Sequence, residues 1–267
     1  MIRTPRIPRR TFSMGLLAAG LSLSVHTRAD NAVSAKDIVT AADGVRNPLA
    51  PFRMSLLLVE YKSGQVHDTV GLAVHSKLNA STGQYRNLVR YTAPARDVGK
   101  LVLLDGGSMW FYDPASKASI RISAQQRLIG QASNGDVLTV NLAHDYSAKI
   151  LGEEAVADAD RQTRSTWHLD LTAATRDAAY ARLETWIEKD TYHPIKSKFY
   201  SDSGRVLKLA YYRRYETALG GARPMETIIV DAVDSHLVTK VTASEYRAED
   251  VQDTWFQRDS LPRFSEE

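Results

Sequence analysis

Residues 195–215 read IKSKFYSDSGRVLKLAYYRRY. Two runs of alternating apolar and polar residues, Ile195 to Ser201 and Arg205 to Tyr215, flank Asp202-Ser203-Gly204. A three-residue loop ending in glycine between two period-two runs marks a β-hairpin, because glycine takes a positive φ without a steric penalty. The two runs are therefore expected as antiparallel neighbours.

The same grammar extends in both directions. Strand patterns occur at Arg53–Tyr61, Gln65–Leu78, Gln84–Tyr91, Leu101–Leu104, Met109–Tyr112 and Ile120–Ile122. They resume at Tyr146–Gly152, Ser165–Leu171, Leu183–Lys189, Thr227–Asp231 and Leu237–Arg247. Ser63-Gly64, Ser81-Thr82-Gly83, Asp105-Gly106-Gly107 and Asp113-Pro114 supply turns, and Gly220-Gly221 with Pro224 a wider one. Two stretches read differently. Ser34 to Gly44 reads as a short helix, with Ser34 as cap, Asp37 at capping-box distance and Gly44 as stop. Ala124 to Leu142 reads as a helical insertion, in which Asp136 caps Val137–Leu142. No composition break divides the chain. The expected fold is mainly β, a single curled antiparallel sheet closed or half closed into a barrel.

Residues 1–29 are set apart by chemistry. Arg3, Arg6, Arg9 and Arg10 precede an apolar run from Met14 to Val25, and Thr27-Arg28-Ala29 leads to a plausible cut before Asp30. That order is an export signal, of Sec or twin-arginine type, and leaves 30–267 as one domain. The apolar run is too short to span a bilayer, and no later run is long enough. Five arginines lie in residues 1–29 without an acid, so removing them takes the formal charge from +3 to −2. A nucleic-acid partner is not expected of such a chain. With no cysteine, it offers neither disulfides nor thiolate ligands.

Catalytic and metal motifs do not emerge. Gly106-Gly107-Ser108-Met109-Trp110 lacks the final glycine of a nucleophile elbow, and Asp158-Ala159-Asp160 lacks the further oxygen ligands of a calcium loop. His67-Asp68 and His144-Asp145 are adjacent pairs whose side chains would point to opposite faces of a strand. No catalytic residue, metal site or cofactor is expected.

What remains is one apolar face. From the runs Met109–Tyr112 and Tyr211-Tyr212 the candidate lining takes Met109, Phe111 and Tyr211. It adds Leu56, Leu58, Val89, Tyr91, Trp167, Leu169, Trp186 and Phe199. Periodicity alone does not separate a filled core from a ligand cavity.

A set of short motifs resembles the outer-membrane lipoprotein-sorting proteins, relatives of the LolA and LolB carriers. These include Met109-Trp110-Phe111-Tyr112-Asp113-Pro114, Gln126-Arg127-Leu128-Ile129-Gly130 and Leu151-Gly152-Glu153-Glu154. Trp186-Ile187-Glu188-Lys189, Tyr192-His193-Pro194-Ile195-Lys196 and Ser203-Gly204-Arg205-Val206-Leu207-Lys208 continue it over about residues 50–250. The resemblance implies an unclosed barrel whose concave face is covered by helices. It implies a soluble periplasmic carrier of lipid or lipoprotein acyl chains, which moves them towards the outer membrane, with an inner-membrane exporter of the resistance-nodulation-division type as a partner. A sensing module that signals through a protein partner is the alternative it leaves open, and an enzyme acting on a lipid in the same cavity is a third.

Overall fold

The computed structural model describes Met1 and residues 33–265 except 177, so the export segment expected at 1–29 lies outside the described residues apart from Met1. Helix α1 (Ala35–Arg46) opens the domain. Six strands follow: β1 (Phe52–Lys62), β2 (Gln65–Leu78), β3 (Tyr85–Ala93), β4 (Leu101–Asp105), β5 (Ser108–Asp113) and β6 (Ala118–Ile122). A connecting stretch holds two short strands, β7 (Arg127–Ile129) and β8 (Ala132–Ser133), and one helical turn, α2 (Leu142–Asp145). Seven further strands complete the chain. They are β9 (Tyr146–Ala157), β10 (Thr163–Ala173), β11 (Arg182–Glu188), β12 (Pro194–Tyr200), β13 (Val206–Ala218), β14 (Gly221–Asp231) and β15 (Leu237–Ala248).

Thirteen of these strands form one antiparallel sheet in the order β6-β5-β4-β3-β2-β1-β15-β14-β13-β12-β11-β10-β9. Two meanders therefore meet at the β1–β15 pair and leave β6 and β9 as unpaired edges. The sheet is not closed into a barrel. The 195–215 hairpin has the expected form: Gly204 stands at φ +79°, and the Ser201 N–H donates to the Arg205 carbonyl at 2.9 Å.

Three local expectations change. The helix does not stop at Gly44 but runs to Arg46 and ends at Asn47-Pro48, where the Asn47 N–H caps the Asp43 carbonyl. Its start is as expected, with the Ser34 hydroxyl accepting from the Asp37 N–H at 3.1 Å. Pro224 lies inside β14 rather than in a loop, opposite Tyr215. It is tolerated there because pairing with β15 begins only at Glu226, so no partner requires its missing N–H. Residues 124–142 are not a helix. They form the β7–β8 hairpin, a single helical turn at Asn134–Asp136 and an extended run that crosses the concave face. Besides a few bonds within the segment, such as the Gly135 N–H to the Ala124 carbonyl, its backbone is bonded to side chains of the sheet and of Asn47.

That crossing segment follows from the topology. It joins β6 to β9, the two free edges, and must span the opening between them. Beneath it lies the larger core: Phe52, Met54, Leu56 and Leu58 of β1 with Leu72, Val74, Val89, Val102, Met109, Ile229 and Val241. Ile129, Val137 and Leu138 of the crossing segment pack onto this face. Ile38, Val39 and Ala42 of α1 cover the other half, against Leu169, Leu171, Leu183 and Ile187. On the convex side the C-terminal residues Val251, Phe256 and Leu261 cover Leu88, Leu101, Leu103 and Tyr112.

Candidate functional site

Register decides which side chains reach the concave face. Leu169, Thr185, Ser197, Ala210 and Ile229 stand side by side across β10 to β14. Paired residues share a face, so the neighbouring row of His168, Trp186, Lys196 and Tyr211 points the other way. Trp186 and Tyr211, expected in the lining, are therefore on the convex side. Trp186 is buried there between His168, stacked at 4.2 Å, and Lys196, whose ammonium lies 4.0 Å from the ring centroid. The indole N–H donates to Glu154.

The other nine candidates are on the concave side. Leu56, Leu58, Val89 and Met109 lie in the core under the crossing segment, with Tyr91 and Phe111 edge to face beside them at 6.4 Å. Leu169 lies under α1, and Trp167 stacks on Tyr192 at its margin. Phe199 packs against both clusters. Two of these nine border cavities on this face. Phe199 lines a cavity of about 100 Å³ and Leu56 its neighbour of about 110 Å³. Each has room for a few waters, less than an acyl chain needs. The concave face is filled by the protein's own crossing segment, the strap, and by α1.

Residues outside the candidate set define these cavities. Leu138 of the strap, Arg46 of α1 and Tyr212 of β13 border both. Tyr212 had a legible signal, the alternation with Ala210 on the inward side of β13. Arg46 and Leu138 had none, since their placement depends on how α1 and the strap cross the sheet.

The strap is held by polar side chains. The Asn87 carboxamide donates to the Thr139 carbonyl at 2.9 Å and accepts from the Thr139 N–H at 3.0 Å. Gln84 does the same with Asn141, accepting its N–H at 2.7 Å and donating to its carbonyl at 3.3 Å. Asn47 donates to the Val140 carbonyl at 2.8 Å, and Asp43 accepts from the Ala143 N–H at 2.8 Å. Thr239 accepts from the Gln131 N–H at 2.7 Å. At the β7–β8 turn Gly130 has φ +53°, and a Cβ there would stand 2.3 Å from the Thr239 hydroxyl. Only glycine lets the turn approach β15 so closely.

Two buried ion pairs lie beside the strap, one joining it to β13 and one within α1. Lys208 of β13 pairs with Asp136 of the strap, and its ammonium also donates to the Gln131 carbonyl at 3.1 Å and to Ser133 Oγ at 3.2 Å. The Tyr180 hydroxyl donates to the same Asp136 at 2.9 Å. Arg46 pairs with Asp43. Burial alone would lower the Arg46 guanidinium, but Asp43 and Tyr212 beside it hold it above its ordinary value. Burial pushes the hydroxyls of Tyr180 and Tyr212 up, so both remain neutral donors. Among the described residues no group of acids and histidines could hold a metal ion. No described helix is long and apolar enough to cross a membrane.

A family model described as an uncharacterized protein matches residues 83–263. Among solved structures, a LolA superfamily protein from Nitrosomonas europaea is 31% identical, with a TM-score of 0.76 over 85% of this chain and 99% of that one. A DUF1329 family protein from Desulfovibrio piger is 22% identical, with a TM-score of 0.71 over 85% and 97%. A domain assigned to outer membrane lipoprotein sorting, from Vibrio parahaemolyticus, is 16% identical, with a TM-score of 0.71 over 86% and 98%. The last two share the fold. No curated protein matches the chain.

Proposed function

Because this chain belongs to the LolA superfamily, we propose that it is a periplasmic carrier of lipid or lipoprotein acyl chains that passes its cargo towards the outer membrane. The observation that carries this reading is the strap. An apolar concave face is covered by a segment that packs Ile129, Val137 and Leu138 onto it and is tied down by the polar side chains of Asn87, Gln84, Asn47 and Lys208. Lifting it would expose the faces of Leu56, Leu58, Val89 and Met109 to a ligand while leaving the thirteen-stranded sheet paired.

The energetics are adequate. Burying an acyl chain gains about 0.8 kcal/mol per CH₂, roughly 10 kcal/mol for a dozen carbons. Freeing the strap sets against this a handful of hydrogen bonds at about 1 kcal/mol each, which water replaces in the open state, and the exposure of Ile129, Val137 and Leu138 at about 1.5–3 kcal/mol each. One chain is then marginal and two are sufficient. A cargo with two chains, or an acceptor membrane that competes for one, suits such a balance. An inner-membrane exporter of the resistance-nodulation-division type is the partner that the resemblance suggests.

Native mass spectrometry of protein taken from its own periplasm tests the reading, followed by transfer to acceptor vesicles. Bound lipid that moves to the vesicles is the expected result. Protein that carries no lipid, and takes none from donor vesicles, would overturn it.

A further inference from the structure

A third cavity, of about 300 Å³, opens where the β7–β8 hairpin meets the hairpin between β12 and β13. Its walls include Arg127 of the strap, Arg205 just before β13, Lys208 of β13, Ser133, Tyr180 and Asp231. Lys208 is committed to Asp136. Asp231 caps the following turn, accepting from the N–H groups of Val233 and Asp234 at 2.8 and 2.9 Å. Arg127 and Arg205 are exposed and pair with no carboxylate among the described residues. The cavity thus carries two uncommitted guanidinium groups against one carboxylate.

Its position gives these charges a use. Tyr180 borders both this cavity and the one of about 100 Å³, whose walls combine Leu138, Leu183, Phe199 and Ile229 with Arg46 and Asp136. The Lys208 ammonium lies 5.1 Å from the Tyr180 ring centroid and 5.5 Å from that of Phe199, and the two rings are 4.8 Å apart. Phe199 in turn lines the inner cavity with Leu138. Passing inward, the surface runs from the guanidinium groups past the Lys208–Asp136 pair to the rings of Tyr180 and Phe199 and on to the aliphatic Leu138 and Ile229. That gradient fits an amphiphile lying head outward, because the chain gains by desolvation while the head must stay hydrated or paired.

We infer that this cavity is a headgroup site, and that the cargo is an amphiphile with an anionic, phosphate-bearing head held by Arg127 and Arg205 while its chain passes Tyr180 and Phe199. The inference rests on the acyl-carrying function proposed above. Guanidinium suits phosphate because its planar fork makes two parallel charge-assisted hydrogen bonds.

The test compares palmitoyl lysophosphatidylglycerol with monopalmitoylglycerol, which have the same chain and differ in charge. Binding of each to the full chain is measured by calorimetry, for the parent and for R127S/R205S. Both arginines are on the surface, and circular dichroism checks that the double variant keeps its strands. The parent should prefer the anionic lipid by about tenfold at low salt, and the preference should shrink as salt screens the exposed charges. The double variant should lose the preference and bind monopalmitoylglycerol as the parent does. Equal affinity of the parent for both lipids, or a preference that survives in R127S/R205S, would overturn the headgroup site and leave the carrier function standing. Failure to bind either lipid would overturn the headgroup site, and failure to bind two-chain phosphatidylglycerol as well would overturn the carrier function. Inorganic phosphate is the third probe: if it binds the parent as tightly as the lysolipid does, the site takes free phosphate and the lipid assignment falls.

Discussion

Asn87 and Thr139 are joined as residues on adjacent strands are, but through one side chain: the Asn87 carboxamide takes both the N–H and the carbonyl of Thr139, at 3.0 and 2.9 Å. Asn87 is fully buried, and Ser76 adds contacts to the Asn87 and Thr139 side chains at 2.8 Å. A strap that crosses a sheet obliquely cannot continue its ladder, so a buried backbone pair needs a substitute partner.

Asn87→Leu should therefore cost more than a lost side-chain contact. It leaves the Thr139 N–H and carbonyl buried without partners, at about 1–3 kcal/mol each. Urea unfolding should show a loss of roughly 2–4 kcal/mol. Hydrogen exchange should quicken at residues 137–141 before it changes in β1 or β15. Uniform quickening throughout the sheet would show that the strap does not open by itself.

The Lys208–Asp136 pair makes a sharper prediction. Lys208→Met strands a carboxylate that is 9% exposed, held then only by Tyr180 and the Ser133 N–H. A loss of about 3 kcal/mol is expected. Lys208→Met with Asp136→Leu removes both charges and should be more stable than Lys208→Met alone, because no buried ion is left. If the double variant is the less stable of the two, the pair is not isolated in the way the structure implies.

Much of this architecture can be read in the sequence, for reasons that differ from element to element. The 195–215 hairpin is explicit because its loop geometry is local and Gly204 marks it. Trp186 was legible too: it alternates with Leu183, Thr185 and Ile187 and shares its parity with Glu184 and Glu188, which assigns it to the convex side. Size and aromaticity argue for a lining, and the alternation argues correctly against it. On β13 the inward set of Lys208, Ala210 and Tyr212 contains a charge, which makes the outward Tyr211 look the better choice. Lys208 is inward because Asp136, 72 residues away in sequence, comes to meet it. The strap is illegible for the same reason. Its bonds go to Asn87, Thr239, Asn47 and Gln84, and no local periodicity reports such partners.

His193 gives the fold a pH dependence with a definite sign. Its ring lies flat on Tyr215, 3.8 Å between centroids. Burial lowers its affinity for a proton, Glu188 opposes this, and Arg164 adds to it. The folded protein thus keeps His193 neutral at pH values where the unfolded chain protonates, near 6.5. Stability from this group is present above about pH 6.5 and lost as pH falls below it. Urea midpoints measured at about pH 7.5 and about pH 5.5 should fall further for the parent than for His193→Gln. Equal falls would mean that other groups carry the whole acid sensitivity.

Leu138 is where the structure and the proposed function meet most directly. It borders both small cavities, of about 100 and about 110 Å³, and is 8% exposed. Leu138→Trp puts an indole into that space from the strap side. Overpacking should cost about 1–3 kcal/mol, an amount that a well-paired sheet of thirteen strands absorbs. If acyl chains enter beneath the strap, the variant should leave the periplasm with its lipid load nearly abolished, as native mass spectrometry would read. Leu57→Trp is the control, since Leu57 is 47% exposed on the convex side and should keep the parent's load. A folded Leu138→Trp protein that carries the parent's load would show that the cargo lies elsewhere than on the concave face.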